Sequence, residues 1–390
     1  MPKISKEKIK VILNMILILF MCRFFSFELF NLYPIISNIY TLISKGIFIV
    51  LMVIVFLKKT IVKKEISYIV FIFSYFLILT LITIFNNADM RRLVMQIYPI
   101  IGTLFLFNLN KNRLMTLVKA YSLLFFILVL INFVDMVLNK DLSSEYSTNY
   151  FFLGGKNGLA IIFSVGMGFI KYTRESCKSL FWKVVDRIYF LLILISAILT
   201  KSGTTIISTG ILFFIYNSKF LKKIITPMRF FIFYSLFWLG VVFFNIQYYF
   251  RYIIVDLLHK DITFTHRTLI WHTVLEKIKD KLYFGYGVPE SHSIFKVTYP
   301  FGNGTKTSIY SAHNQILQDL YEGGIILFIL FCLIYVISTI SNSKNKQGRE
   351  KYIFFSIIII FITYFAEALG RYAIFSMFIT CYYLNNFRKE

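Results

Sequence analysis

Long apolar segments recur along almost the whole chain, and they constrain the fold more than any other feature. A helix needs about 20 apolar residues to cross the hydrocarbon core of a membrane. Twelve segments approach or reach this length. They lie near residues 9–27, 34–57, 66–85, 93–109, 114–138, 151–171, 188–201, 203–217, 229–247, 313–340, 352–367 and 370–386.

The composition agrees with a membrane protein. Of the 390 residues, 58% are hydrophobic and 16% are charged, whereas a typical soluble domain has about 25% charged residues. We therefore predict an all-α polytopic membrane protein with one transmembrane domain over residues 1–390. The segments 188–201 and 203–217 are short and separated by three residues, so the expected number of transmembrane helices is ten to twelve.

The distribution of positive charge predicts the orientation. The net charge is +23, which in a soluble protein would suggest a nucleic acid partner. If the N-terminus lies in the cytoplasm, the seven cytoplasmic segments hold 25 of the 42 Lys and Arg residues, and the short outer loops hold five. Cytoplasmic loops of membrane proteins are enriched in Lys and Arg. We therefore expect both termini in the cytoplasm, the lipid bilayer as a partner, and no nucleic acid.

This orientation places the one long polar segment, residues 248–312, outside the cell. Loops of this length in compact proteins are usually functional. Within it, residues 267–282 are predicted to form an amphipathic helix, because Ile270, Val274 and Ile278 follow a helical spacing. The alternative is a helix that only lies among lipid headgroups. All five histidines lie in this loop or at its end: His259, His266, His272, His292 and His313.

The outer loop does not predict a metal site or a cofactor. It has no His-Glu-x-x-His motif, no cysteine pair and no cluster of carboxylates. Arg267 instead predicts anion binding, since it stands at the start of the predicted helix, where free N–H groups favour an anion. Arg91 and Arg371 are further outward-facing cations by this topology. The alternative for each is an anchor in the lipid headgroups.

A polar cluster opens the span near 313–340. Asn314, Gln318, Tyr321 and Glu322 share one helical face, with His313 at its start. That face is too polar for lipid, so it should point into the bundle or a wet cavity. We interpret it as the wall of an outward-open site, with His313 able to take a proton from a hydroxyl. The alternative is hydrogen bonding between helices.

Three segments resemble the O-antigen ligase/polymerase superfamily, which includes Wzy-type capsule and exopolysaccharide repeat-unit polymerases. The first is Gly-Gly-Lys-Asn-Gly at 154–158. The second is His-Arg-Thr-Leu-Ile-Trp at 266–271, followed by Phe-Gly-Tyr-Gly at 284–287. The third is Ala-His-Asn-Gln-Ile-Leu at 312–317, with Glu-Gly-Gly at 322–324. Their order and spacing fit the family from about residue 150 to residue 340.

The resemblance implies a metal-independent glycosyltransferase with a GT-C-like bundle in a bacterial cytoplasmic membrane. Its donor would be a glycan on undecaprenyl diphosphate, and its acceptor another lipid-linked repeat unit. A flippase and a chain-length regulator would be further partners. His313 is the first choice for the catalytic base, with Glu290 and Asp319 as alternatives, and Arg267 would stabilise the diphosphate. The substrate-binding candidates are Arg91, Arg371, Lys201, Lys156, Asn157, Asn314, Gln318 and Tyr321.

The chain departs from the family at one motif. Where the family often has Ser-Arg-Thr or Ser-Arg-Gly at the start of a span, this chain has Ser202-Gly203-Thr204. Lys201 would replace the missing Arg as a point charge. Two other functions stay open: a ligase that moves finished glycan to a different acceptor, and a flippase or transporter. Transporters often show two similar halves, which this sequence lacks.

Overall fold

The computed structural model describes residues 6–25, 27–138, 150–257, 261–264, 266–290, 295–298, 306–309, 311–340 and 348–387. Almost all of these residues are helical. One helix corresponds to each of the twelve predicted spans: α1 (Lys6–Met21), α3 (Pro34–Leu57), α4 (Lys63–Phe85), α5 (Met90–Asn110), α6 (Leu114–Leu138), α7 (Leu159–Cys177), α8 (Leu180–Leu199), α9 (Gly203–Asn217), α11 (Pro227–Val242), α13 (Gln315–Thr339), α14 (Lys351–Ala366) and α15 (Tyr372–Asn386). The remaining helices are α2 (Leu29–Leu32), α10 (Lys219–Ile224) and α12 (Arg267–Asp280). His259 and His292 lie outside the described residues.

The predicted all-α membrane class is confirmed. Four helical stretches among the described residues are long and apolar enough to cross a membrane: Pro34–Leu57, Lys63–Phe85, Met90–Leu138 and Gln315–Thr339. The third contains both α5 and α6, which a 3-10 turn at Lys111–Arg113 joins. Three shorter helices are also apolar: Gly203–Asn217, Pro227–Val242 and Lys351–Ala366. The chain is therefore a multi-pass membrane protein.

Helices α7, α14 and α15 form the centre of the bundle. Almost every residue of α14 and α15 is buried, whereas α3 buries only Ser44, Leu51 and Val55. Ser356 Oγ of α14 donates to the Ser164 carbonyl of α7 at 2.6 Å, a contact that suits closely packed membrane helices. Helices α7, α9 and α13 all begin at the same end of the bundle as α12. We call this the loop end.

Two short antiparallel hairpins were not predicted. In the first, β1 (Tyr150–Phe151) pairs with β2 (Gly154–Gly155), and in the second, β3 (Phe295–Thr298) pairs with β4 (Lys306–Ile309). The first explains why α7 begins later than the predicted span near 151–171. Gly154 has φ +124°, a value that side-chain-bearing residues rarely adopt. The chain therefore turns before it can enter a helix.

Helix α13 is interrupted at Gly324, and the chain after α12 packs into the break. Gly324 has φ +65° and ψ −169°. The N–H groups of Tyr286 and Gly287 donate to the carbonyls of Tyr321 and Glu322, both at 2.8 Å. Ile325 N–H donates to the Leu282 carbonyl at 2.9 Å. The segment after α12 therefore forms hydrogen bonds with backbone groups of α13 at the break.

This junction predicts a large effect of one methyl group. A Cβ at Gly285 would lie 2.5 Å from the Tyr321 carbonyl oxygen, and Gly285 also has φ +65°. We expect Gly285→Ala to lower the free energy of unfolding by about 1–3 kcal/mol. Thermal unfolding of the purified protein in detergent measures it. Gly210→Ala in α9 is the control, since nothing lies within 4 Å of its new Cβ. Equal losses in the two variants would contradict the prediction.

Candidate functional site

The carboxylate of Glu367 contacts residues from three other parts of the chain. Glu367 follows α14 directly and is 8% exposed. Its Oε1 accepts hydrogen bonds from Arg267 Nη2 and from Asn157 Nδ2, the latter at 2.7 Å. Its Oε2 lies 3.5 Å from His313 Nδ1. The structure thus brings the predicted residues Arg267, His313 and Asn157 together on a carboxylate that the sequence analysis did not single out.

The positive ends of four helices meet around this carboxylate. Helix α7 begins two residues after Asn157, α12 begins at Arg267, and α13 begins two residues after His313. The fourth is α9, whose N-cap Ser202 donates from Oγ to Asn157 Oδ1 at 2.6 Å. Helix N-termini carry partial positive charge and free N–H groups. Four of them together favour binding of an anion larger than a single carboxylate.

The side chains near the cluster add further positive charge. Lys156 precedes Asn157, and its carbonyl accepts from Thr205 Oγ1 at 2.5 Å. Lys201 precedes Ser202 and is exposed. Within the described part of the chain neither lysine has an ion-pair partner. Glu367 therefore balances only one of the three cations Arg267, Lys156 and Lys201, and the cluster keeps a net positive charge.

His313 has the position of a base held by a carboxylate. Its backbone is left-handed, with φ +46°, and its side chain is 38% exposed. The 3.5 Å separation from Glu367 exceeds a hydrogen bond, but such contacts in unliganded enzymes are often long and shorten with substrate. The other ring nitrogen, Nε2, has no hydrogen-bond partner among the described residues. A substrate hydroxyl could therefore reach it.

The polar residues at the start of α13 contact other residues of the protein. Asn314 caps α13, with Oδ1 accepting from the Leu317 N–H and from Trp238 Nε1, both at 3.1 Å. Gln318 is buried and donates to Glu322 Oε1 at 2.7 Å. Tyr321 is half-buried and stacks on Tyr286, with ring centroids 4.7 Å apart. Asn314 therefore fits the alternative of hydrogen bonding between helices, whereas Gln318 bonds within α13, and neither forms a wall open to substrate.

Arg371 does not face outward as the topology suggested. Its side chain is 2% exposed, and it forms ion pairs with Asp319 at 2.8 Å and Glu322 at 2.6 Å. It also donates to Tyr75 of α4 at 2.8 Å and to Gln96 of α5 at 3.1 Å. A buried charge is costly without partners of opposite charge. Two carboxylates supply them for the Arg371 guanidinium. The same contacts occupy Asp319, one of the alternative bases.

The remaining predicted residues lie on the surface. Arg91 and Glu290 are both exposed, and neither contacts the Glu367 cluster within the described ranges. The neighbouring Arg92 is used structurally, since its Nη1 donates to the Pro289 carbonyl at 2.9 Å. The structure therefore gives Arg91 and Glu290 no place in the cluster.

An apolar groove of about 700 Å³ runs beside the cluster, between α11, α12 and α13. Its walls are formed by side chains such as Trp238, Leu269, Leu320 and Phe328. Thr268, which follows Arg267 in the sequence, also lines it, so one part of the groove lies near the cationic cluster. Such a groove fits a long hydrocarbon chain attached to a charged headgroup.

Sequence reasoning does not identify Glu367, which lies in the same short turn as Arg371. A carboxylate in a short turn between two apolar spans is costly unless it has a partner or a function. That signal was present in the sequence. What the sequence did not show is which distant cation would meet it, since Arg267 lies 100 positions earlier.

Comparison with known proteins gives two matches. Residues 188–332 match the O-antigen ligase family. A stretch of 91 residues is 41% identical to a Rickettsia conorii protein named "putative polysaccharide ligase", covering 21% of this chain and 21% of that protein. The chain thus matches about a fifth of the length of this relative. No solved structure matches the chain. The matched family region contains Arg267 and His313, while Asn157 and Glu367 lie outside it.

Proposed function

We propose that this protein transfers a glycan from a lipid diphosphate to a hydroxyl group of an acceptor. Its matches support the O-antigen ligase superfamily. The observation that carries the proposal is the contact of Arg267 and His313 with Glu367 where four helices begin. A base beside a cationic pocket is what attack on a diphosphate-linked sugar requires. Undecaprenyl diphosphate is the lipid that the resemblance implies.

His313 would act as the general base in this reaction. The acceptor oxygen attacks the anomeric carbon of the donor sugar, and the bond from that carbon to the phosphate oxygen breaks. The hydroxyl proton passes to His313 Nε2, while Glu367 holds Nδ1 and stabilises the imidazolium. The proton then leaves to solvent or to the released diphosphate.

Fixed positive charge would stabilise the leaving group. Negative charge develops on the diphosphate oxygens as the bond breaks, and preorganised donors stabilise it most effectively away from bulk water. Arg267 has further N–H groups beside the one that contacts Glu367, and Lys156 and Lys201 lie beside the same cluster. These three cations would together stabilise the charge on the leaving diphosphate.

The groove between α11, α12 and α13 would hold the hydrocarbon chain of the donor. Its walls are mostly apolar, and they include Thr268, the residue that follows Arg267 of the proposed diphosphate site. The loop end would then face the outside of a bacterial cytoplasmic membrane. Basic residues at the opposite end, among them Lys63, Lys111 and Lys219, fit this orientation with both termini in the cytoplasm.

The identity of the acceptor distinguishes two forms of this function, a polymerase and a ligase. The family resemblance puts a polymerase that joins repeat units first, with a flippase and a chain-length regulator as partners, but the sequence motifs do not separate a polymerase from a ligase. The names of the matched family and of the relative favour a ligase. Incubation of the purified protein with one lipid-linked donor and either a lipid-linked repeat unit or a different glycolipid acceptor distinguishes them. Transfer to neither would contradict the proposed function.

Removal of the Arg267 guanidinium should strongly reduce transfer. We expect Arg267→Ala to lower the rate by about 10²–10³-fold, the loss typical for one preorganised donor to a developing anion. Arg267→Lys should recover part of the rate, because the charge remains but the fork is lost. Product formation from a labelled lipid-diphosphate glycan in EDTA measures both. Lys277→Ala, an exposed residue of the same helix, is the control. A full rate in Arg267→Ala would remove Arg267 from the mechanism.

A further inference from the structure

We propose that a second cavity at the loop end binds one sugar ring that carries an anionic group. The cavity has a volume of about 220 Å³ and lies between the segment after α1, the start of α3 and the β1–β2 hairpin. Its lining includes Arg23, Phe27, Phe30, Tyr40 and Tyr150. That the ring belongs to a glycan handled by this enzyme rests on the proposed function.

The walls have the character of a carbohydrate site. Phe30 packs against Phe27 and Tyr40, with ring centroids 5.4 Å and 4.7 Å apart. Flat aromatic faces bind the C–H faces of sugar rings. Hydroxyl and amide side chains, such as Ser37 and Asn31, also line the cavity and can hydrogen-bond sugar hydroxyls. The volume is below the roughly 300–1,000 Å³ of sites for drug-sized ligands, which suits a single ring.

Arg23 gives the cavity its charge preference. Its Nη2 donates to the Tyr98 hydroxyl at 2.6 Å, while its Nε is buried and has no hydrogen-bond partner. Within the described residues Arg23 has no ion-pair partner, unlike Arg267 and Arg371. A largely buried guanidinium at a membrane protein's edge is costly without a counterion. A carboxylate or phosphate on the sugar would supply one.

The cavity is connected to the Glu367 cluster through the backbone. Tyr150 belongs to β1, whose partner strand β2 leads directly into Lys156 and Asn157. The Glu28 N–H donates to the Phe152 carbonyl at 3.1 Å and so fixes the segment after α1 to this hairpin. A glycan bound in this cavity would therefore contact the same hairpin that positions Lys156 and Asn157 of the proposed transfer site. This favours a glycan over a phospholipid headgroup.

Direct binding tests the assignment. Wild-type protein in nanodiscs of zwitterionic lipid is titrated with hyaluronan tetrasaccharide, which carries carboxylates, and with neutral tetra-N-acetylchitotetraose. We expect Arg23→Gln to weaken binding of the acidic probe by about tenfold, the value of one charge-assisted hydrogen bond. Arg23→Lys should recover part of it. Tyr150→Ser, at a residue 53% exposed, should weaken both probes without affecting folding. Arg251→Gln is the exposed-arginine control.

Three results would overturn the assignment. They are equal affinity of wild type and Arg23→Gln for the acidic probe, no loss of binding in Tyr150→Ser, and loss of the signal when phosphatidylglycerol is added to the nanodiscs, which would identify a lipid headgroup as the occupant. Arg267→Ala separates this proposal from the function. It should lose transfer and keep probe binding. Probe binding in a wild-type protein without any transfer activity would leave the cavity in place and contradict the proposed function alone.

Discussion

Glu367→Gln is expected to lower glycan transfer by about 10²–10⁴-fold, the usual contribution of a positioned base and its partner. The glutamine keeps the size of the side chain and can still accept hydrogen bonds from Arg267 and Asn157. It has no charge, so it can no longer stabilise a protonated His313. We expect the effect on kcat to exceed the effect on KM for the acceptor.

The matched comparison is His313→Ala. If His313 and Glu367 act as one unit, the double variant should be about as slow as the slower single variant. Additive losses would indicate that the two residues act independently. Asp256→Asn removes an exposed carboxylate from the segment before α12 and should leave the rate unchanged. A Glu367→Gln enzyme with the wild-type rate would leave Glu367 as a structural partner of Arg267 only.

Arg371→Met should be the most destabilising substitution in the bundle. It would leave Asp319 and Glu322, which are 5% and 3% exposed, buried without their cation. Removal of one partner from a buried ion pair costs about 3–5 kcal/mol. We therefore expect little monodisperse protein after detergent extraction, and a clear decrease in the thermal midpoint of what remains.

A rescue experiment separates this structural role from the predicted substrate-binding role. The triple variant Arg371→Met, Asp319→Asn, Glu322→Gln removes the unpaired charges, and buried neutral groups cost less than buried ions. We expect it to recover much of the thermal midpoint lost by the single variant. An Arg371→Met protein that unfolds like wild type but no longer binds the lipid donor would restore the substrate-binding role.

Helix positions followed from composition because lipid exposure demands long apolar runs. Each of the twelve predicted spans has a helix, and the segments 188–201 and 203–217 are two separate helices. Hydropathy could not show the late start of α7 or the break at Gly324. Both depend on backbone conformations that glycine permits and on hydrogen bonds to distant residues.

The candidate site was predicted in part. Local signals, a helix start and a polar residue at the edge of a span, indicate Arg267 and His313, and both lie against the same carboxylate. Arg371 is instead paired with Glu322, which lies 49 positions earlier in the chain. A charged or polar residue in an apolar context is visible in sequence, but its partner is fixed only by tertiary packing.

The interruption at Gly324 couples two stretches that are distant in the sequence. Because backbone groups of residues 282–287 complete the hydrogen bonding of residues 321–325, a graft of the polar loop from a relative would have to bring the top of the following helix with it. Changes of substrate preference in such proteins should therefore be inherited as one cassette that runs from α12 through the first three turns of α13.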